Sequence, residues 1–143
     1  MKTVANILEA KGSETFEVGP GASVYEALNI LADRNVGALV VMDSGKLVGI
    51  ISERDYARKV VLVERSSQDT LVSEIMSSDV MTVPPTSSVE DCMELMTERH
   101  IRHLPVVEDG RLVGVISIGD VVKAVIADLA GLVEQLDSYI RGR

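Results

Sequence analysis

At 143 residues the chain holds one compact domain or two small lobes sharing a core. Its 14 basic and 22 acidic residues leave a net charge of −8, which argues against general nucleic-acid binding, where a surplus of Lys and Arg must face phosphates. Apolar residues make up 46% of the chain, with one Phe and no Trp, so the core is expected to be aliphatic. The longest apolar runs, 38–42 and 60–63, are too short to cross a bilayer, and no long apolar region of a signal peptide opens the chain. The single cysteine, Cys92, excludes an intramolecular disulfide and fits a reducing, cytoplasmic setting.

In chain order, 15–18 reads as a short strand closed by Pro20, because proline ends ladder pairing. Val24, Ala27, Leu28 and Leu31 follow one face of a 3.6-residue period, with Ser23 and Glu26 supplying capping-box chemistry at the start. Two β-rich runs, Ala38–Met42 and Leu47–Ile51, flank the turn Asp43-Ser44-Gly45-Lys46 and predict a hairpin or closely linked strand pair. A second helix is expected from about Glu53, and the polar stretch 64–70 reads as a linker. The same order then returns. A strand at 80–83 ends at Pro84-Pro85, and a helix follows with Val89, Cys92, Met93 and Met96 on one face and Ser88 with Asp91 at its cap. Strands at Leu104–Val107 and Leu112–Ile116 flank Glu108-Asp109-Gly110-Arg111, and a helix begins near Ile118. Val122, Val125, Ile126, Leu129, Val133 and Leu136 carry its apolar stripe past the repeat. That is more apolar face than one repeat needs, so it is expected to pack on the other repeat or on another subunit.

The duplication is explicit. Positions 15–60 align without a gap on 80–125, with 15 identities over 46 positions. Gly49, Ser52 and Asp55 return as Gly114, Ser117 and Asp120. Two copies are too few for a solenoid and suggest two similar units with a ligand between them. The lead-in segments match only at a different offset, Val4 to Leu8 against Val72 to Met76.

The repeated motif is Gly-h-h-Ser-x-x-Asp, with h apolar, at a strand-to-helix junction. Glycine admits a ligand or a neighbouring backbone. The serine stands where unpaired backbone N–H groups and the positive end of the helix dipole favour phosphate. A carboxylate three residues on repels phosphate but accepts two hydrogen bonds, which suits a ribose diol. The plain alternative is a capping box, in which both side chains serve only the helix; duplication alone would preserve that cap.

The strand–helix–strand–strand–helix order, the Leu104-Pro105-Val106-Val107 run and the two Gly-h-h-Ser-x-x-Asp motifs make the chain resemble a tandem pair of CBS (cystathionine-β-synthase) domains with no attached enzyme, over roughly residues 4–126. The resemblance implies an α/β fold of two βαββα-type repeats related by pseudo-twofold symmetry. It divides the chain into a first repeat at 1–65, a linker at 66–70, a second repeat at 71–127 and a C-terminal helical extension at 128–143. It also implies a regulatory module that senses an adenine nucleotide between the repeats and signals by conformational change. AMP and NAD(H) are the first expectations, and such pairs also bind ADP, ATP or S-adenosylmethionine, or nothing. No catalytic cofactor, nucleic acid or membrane is implied; a homodimer and an unidentified target protein are.

Carried over residue by residue, Ser117 and Asp120 are expected to face phosphate and ribose in one cleft. Adenine there would rest near the Phe16 backbone and Val36-Gly37-Ala38. In the other cleft Ser52 and Asp55 take those roles, with Met81 and Ile101-Arg102-His103 as the opposing wall. Arg54, Arg102 and His103 would supply positive charge, and Gly119 stands where the first motif has Arg54, so the two clefts are expected to differ.

Other candidates are weaker. His100 and His103 lack a third ligand for a metal. Cys92 reads as a small buried hydrophobe. Arg54 and Arg58, four apart, could receive a polyphosphate or pair with nearby acids. Met76, Met81, Met93 and Met96 read as core filling. No nucleophile has an adjacent base, and both the Gly-x-Ser-x-Gly elbow and the Gly-rich phosphate loop are absent, so no enzyme is expected. The alternative function is a structural, dimerising module with no ligand.

Overall fold

The computed structural model describes residues 2–142. In chain order its elements are α1 (Val4–Lys11), β1 (Glu17–Val18), α2 (Val24–Arg34), β2 (Ala38–Asp43), β3 (Lys46–Ser52), α3 (Glu53–Tyr56), a π-helical segment (Ala57–Val61), α4 (Val72–Ile75), α5 (Val89–Arg99), β4 (His103–Glu108), β5 (Arg111–Ser117) and α6 (Ile118–Ile140). They form two compact units: a first of Glu14–Met81 and a second of the residues up to Ser13 together with those from Thr82 onward. Both are mixed α/β, and the helix–strand–strand–helix order is present in each.

The hairpins show how closely the copies agree. β2 pairs antiparallel with β3 and closes at Asp43↔Lys46, and β4 with β5 at Glu108↔Arg111. The two intervening residues have positive φ in both turns, 52° and 78° for Ser44 and Gly45 and the same for Asp109 and Gly110. That is the geometry of a type I′ turn, whose twist matches the strands it joins. A register shift follows Val41 in one hairpin and Val106 in the other. The helices ahead of the hairpins are capped alike. Ser23 Oγ accepts from Glu26 N at 3.1 Å and Ser88 Oγ from Asp91 N at 3.0 Å, satisfying one of the backbone donors left over at a helix start. Both end on a left-handed residue, Asn35 (φ 53°) and His100 (φ 54°).

The leading strands diverge. β1 pairs in parallel with β2, Glu17↔Val40 and Val18↔Val41, and Val40 N donates to Phe16 O at 3.3 Å. In the second unit the strand expected at 80–83 contracts to a single parallel bridge, Val83↔Val106. The cause is chemical: the residue in Val40's place is Pro105, which has no N–H to give, and Pro84-Pro85 cut the chain off just beyond.

Each core is aliphatic. Val24, Leu39, Val41, Ile51 and Ile75 pack together in the first unit, while Val4, Val89, Cys92, Leu104, Val106 and Ile116 are buried in the second. The lead-in segments fill matching places in the two units. Val4 and Ile7 of α1 are buried in the second unit, as Val72 and Ile75 of α4 are in the first. The segment read as a linker also packs in the first unit: Tyr25 N donates to Ser67 O at 2.9 Å and Val24 N to Thr70 O at 2.8 Å, while the buried Thr70 donates its hydroxyl to Ser66 O at 2.6 Å. One methionine departs from expectation. Met96 is buried, but Met93 is 37% exposed, because it lies toward the edge of the face that Val89 and Cys92 bury. The apolar stripe of α6 is uncovered among the described residues, with Val122, Ile126, Leu129, Val133 and Leu136 each 45–64% exposed.

Candidate functional site

The two repeated motifs stand at the starts of α3 and α6, where the last residue of a β-strand becomes the N-cap of a helix. Ser52 and Ser117 are extended (φ −127° and −111°), and the helix begins with the next residue. Around Ser117, Asp120 N donates to Ser117 Oγ at 3.2 Å and Ser117 N donates to Asp120 Oδ2 at 2.8 Å. Around Ser52, Asp55 N donates to Ser52 Oγ at 3.3 Å, and Ser52 N and Oγ donate to Asp55 Oδ2 at 2.9 and 3.1 Å. Each motif is therefore a complete capping box.

A cap alone does not account for the cations. Lys59 Nζ lies 3.3 Å from Asp55 Oδ1 and donates to Ile75 O at 2.9 Å. Lys11 Nζ lies 2.7 Å from Asp120 Oδ2 and donates to Val115 O at 2.9 Å. The two lysines come from unrelated places. Lys59 is on the same helical run as its aspartate, four residues on; the position equivalent to it in the second unit is Ala124, and there α1 brings in Lys11 from 109 residues away. Burial alone would raise the Asp120 pKa, but the Lys11 hydrogen bond and charge and the Ser117 donors outweigh it and hold the carboxyl below its ordinary 3.8.

The motif glycines admit the chain's own lead-in segments. A Cβ on Gly49 would lie 2.5 Å from Met76 Sδ and 3.1 Å from Ser77 O; one on Gly114 would lie 2.7 Å from Leu8 Cδ2. Of the two uses that glycine allows, close approach of a neighbouring segment is the one seen. Gly119 is different, since an added Cβ there would meet only Ser117 Oγ, at 3.6 Å.

Within each unit the segment before the hairpin lies beside that unit's own motif. Glu53 N donates to Gly37 O at 3.1 Å, which joins Val36-Gly37-Ala38 to Ser52 and Asp55. Ile118 N donates to Arg102 O at 2.8 Å, and His103 is the ladder partner of Ser117, which joins Ile101-Arg102-His103 to Ser117 and Asp120. Phe16 and Met81 belong to the first unit. The Phe16 ring carries the Arg34 guanidinium 5.2 Å from its centroid.

Two lysines that the sequence reading did not name, Lys11 and Lys59, stand at the motif aspartates. Burial first, then Lys11 and Arg102, push His103 below its usual 6.5 against the opposing pull of Asp120, so at neutral pH its imidazole is an uncharged hydrogen-bonding group. The run that carries Arg54 and Arg58 turns π-helical at Ala57, and the i,i+4 ion pair it closes is that of Asp55 and Lys59. Lys11 and Lys59 are the residues that sequence reasoning missed. The i,i+4 spacing of Asp55 and Lys59 was a readable signal, whereas only the fold brings Lys11 to Asp120.

A cleft of about 610 Å³ in the first unit is lined by Leu28, Leu31, Asn35, Val36, Gly37, Glu53 and Tyr56 among others, so it takes in two of the expected residues without either motif side chain. Among the described residues no three His, Cys, Asp or Glu side chains gather to hold a metal ion. His100 caps α5 in the left-handed conformation. Burial raises the Cys92 thiol pKa to about 11, with Asp91 adding to the effect; the group stays a thiol at neutral pH. Among the described residues no helix is long and apolar enough to cross a membrane.

Comparison with known proteins agrees with this architecture. The CBS-domain protein CBSX3, mitochondrial, of Arabidopsis thaliana is 39% identical over 149 residues, spanning 98% of this chain and 72% of that protein. A CBS-domain protein from Burkholderia ambifaria MC40-6 has a similar solved structure, with 52% identity, a TM-score of 0.86, and coverage of 89% of this chain and 96% of that one. The CBS domain pair of protein MJ0100, solved in complex with 5′-methylthioadenosine and S-adenosyl-L-methionine, is 28% identical with a TM-score of 0.78, covering 90% of this chain and 98% of that one. The CBS domain model matches residues 13–62 and 72–127. The chain belongs to the CBS domain family and carries two CBS domains.

Proposed function

We propose that the protein is a regulatory module that binds an adenosine-bearing ligand at its Ser-x-x-Asp motifs and transmits occupancy as a conformational change. AMP and NAD(H) are the first ligands in view. The carrying observation is the pair of lysine-bound carboxylates. A capping box is complete without a cation, yet each motif aspartate is given one, from a different part of the chain, and at Asp120 the lysine helps to hold the carboxyl pKa below its ordinary value against burial. An ionised carboxylate at a helix start accepts a pair of hydroxyl donors, and the lysine beside it meets a phosphate. The MJ0100 complex with two adenosine compounds supports the ligand class. A ligand of this kind changes the conformation only as far as it binds one arrangement better than another.

In this reading the role is regulatory, and each motif serine hydroxyl is engaged in its helix cap, where it accepts from Asp55 N or Asp120 N. The reducing cytoplasm suits the buried, protonated Cys92. The uncovered stripe of α6 fits a homodimer, and a further protein would read the signal.

A structural module without a ligand is the second reading, favoured by the completeness of both capping boxes. A thermal-shift panel of AMP, ADP, ATP, NAD, NADH, S-adenosylmethionine and 5′-methylthioadenosine separates the two. A ligand at about 100 times its Kd adds about 2.7 kcal/mol of stability, a plainly visible rise in Tm. No shift with any of them at millimolar concentration gives the structural reading the lead.

A further inference from the structure

A groove between α1 and α6 of the second unit carries positive charge that the Ser-x-x-Asp hydrogen bonds do not use. Its volume is about 400 Å³, in the lower range of small-molecule sites. Short side chains keep it open: Ala10 on α1 and Ala124 and Ala127 on α6 line it without filling it. Asp120, Lys123, Ala124 and Ala127 follow one another at helical spacing and so share a face of α6. Three lysines line the groove, Lys2, Lys11 and Lys123, against the one carboxylate of Asp120. Three cations less one anion leave +2 there, in a chain whose net charge is −8.

The backbone around this charge is fixed. Val89 N donates to Lys2 O at 3.1 Å and Val4 N to Ser87 O at 2.9 Å, so the entry to α1 is tied to the start of α5. Lys11 is anchored by Val115 O and Asp120. Asp120 answers one of the three ammonium groups. An anion entering the groove would answer the others through charge-assisted hydrogen bonds that a neutral ligand cannot make.

We infer that this groove receives the phosphate chain of a ligand whose ribose meets Asp120, and that the second unit therefore selects phosphorylated adenosine compounds over uncharged or sulfonium ones. The selection by phosphate rests on the adenosine-binding reading above, while the affinity of the groove for phosphate does not.

Titration calorimetry of the full chain with adenosine, 5′-methylthioadenosine, AMP, ADP, ATP and inorganic triphosphate tests it. Affinity should rise with phosphate number. The Lys2→Gln/Lys123→Gln double variant should lose about tenfold or more for ATP and little for adenosine, the scale of one or two charge-assisted hydrogen bonds. Lys46→Gln, which removes a charge from the β2–β3 turn, should behave as wild type, and unchanged melting of the double variant without ligand shows that it folds. Triphosphate binding that the double variant abolishes, with no adenosine compound bound, upholds the groove and sinks the adenosine reading. Adenosine binding as tightly as ATP, or a double variant with its full phosphate dependence, overturns the inference and leaves the adenosine reading standing. Binding of nothing in the series overturns both.

Discussion

Asp120 serves three partners with one carboxylate: the Ser117 backbone, the Lys11 ammonium and, in the function proposed, a ligand hydroxyl. Its depressed pKa has a definite consequence for stability. A carboxyl whose folded pKa lies below its unfolded value contributes stability that is fully present above the unfolded pKa and is lost as pH falls through the folded one. The stability difference between wild type and Asp120→Asn should therefore be widest near pH 7 and close as pH falls below about 4, the ordinary carboxylate range. Urea unfolding at a series of pH values reads it directly. Lys11 is 38% exposed, so the charge-dependent part should stay within about 1 kcal/mol, and a pH-independent difference would remove Lys11 from the account. The motif glycines give a second, sharper contrast. An added Cβ at Gly114 meets only the end of the flexible Leu8 side chain, whereas at Gly49 it also meets Ser77 O, whose position is fixed by the Ile50↔Ser77 bridge. Gly49→Ala should cost about 1–3 kcal/mol and Gly114→Ala less, as overpacking against backbone exceeds overpacking against a movable side chain. Equal losses in denaturation midpoints would contradict this.

Elements with a strong local cause were readable from sequence. Both hairpins followed from their turns, Ser44-Gly45 and Asp109-Gly110, and α2 and α5 from their serine caps and apolar faces. Elements whose extent depends on a distant partner were not. The strand at 80–83 shrinks to one bridge because the opposite position is Pro105, and periodicity in 80–83 carries no trace of that. The helix after Ser52 turns π-helical at Ala57, and nothing in the local sequence marks that change of winding. The motif residues were visible, being duplicated, but Lys11 was not, since nothing in its own segment points to Asp120. The length of α6 was visible, and so was its stripe. Leu129→Glu/Val133→Glu changes two residues that are 56% and 64% exposed, so it should leave folding intact and shift the protein from dimer to monomer in sedimentation equilibrium. A wild type that is monomeric at high micromolar concentration would take the homodimer out of the account.

At the scale of the whole molecule, the division of the chain cuts across the order of its repeats. α1 precedes the first repeat in sequence but buries Val4 and Ile7 in the second unit, while α4 follows the first repeat and buries Val72 and Ile75 in the first. Deleting residues 2–13 should therefore leave the adjacent hairpin intact and weaken the remote one. By hydrogen exchange, amide protection should fall in β4, β5 and α6 and hold in β2 and β3; the reverse pattern would contradict the assignment of α1. The offset of three between the lead-in matches and the rest of the repeat is the only hint of this in the sequence, and it does not say which unit each segment joins.

The central claim is that the motif aspartates bind ligand as well as capping their helices. The most direct measurement is calorimetric titration of the adenosine ligand that most raises Tm into wild type, Asp55→Ala and Asp120→Ala. Loss of a charge-assisted hydrogen-bonding partner should weaken binding about tenfold or more in one or both variants, beyond the loss of about 1 kcal/mol in stability that removing a helix cap brings to each. If both variants bind the ligand as wild type does and differ only in stability, the aspartates are caps and nothing more.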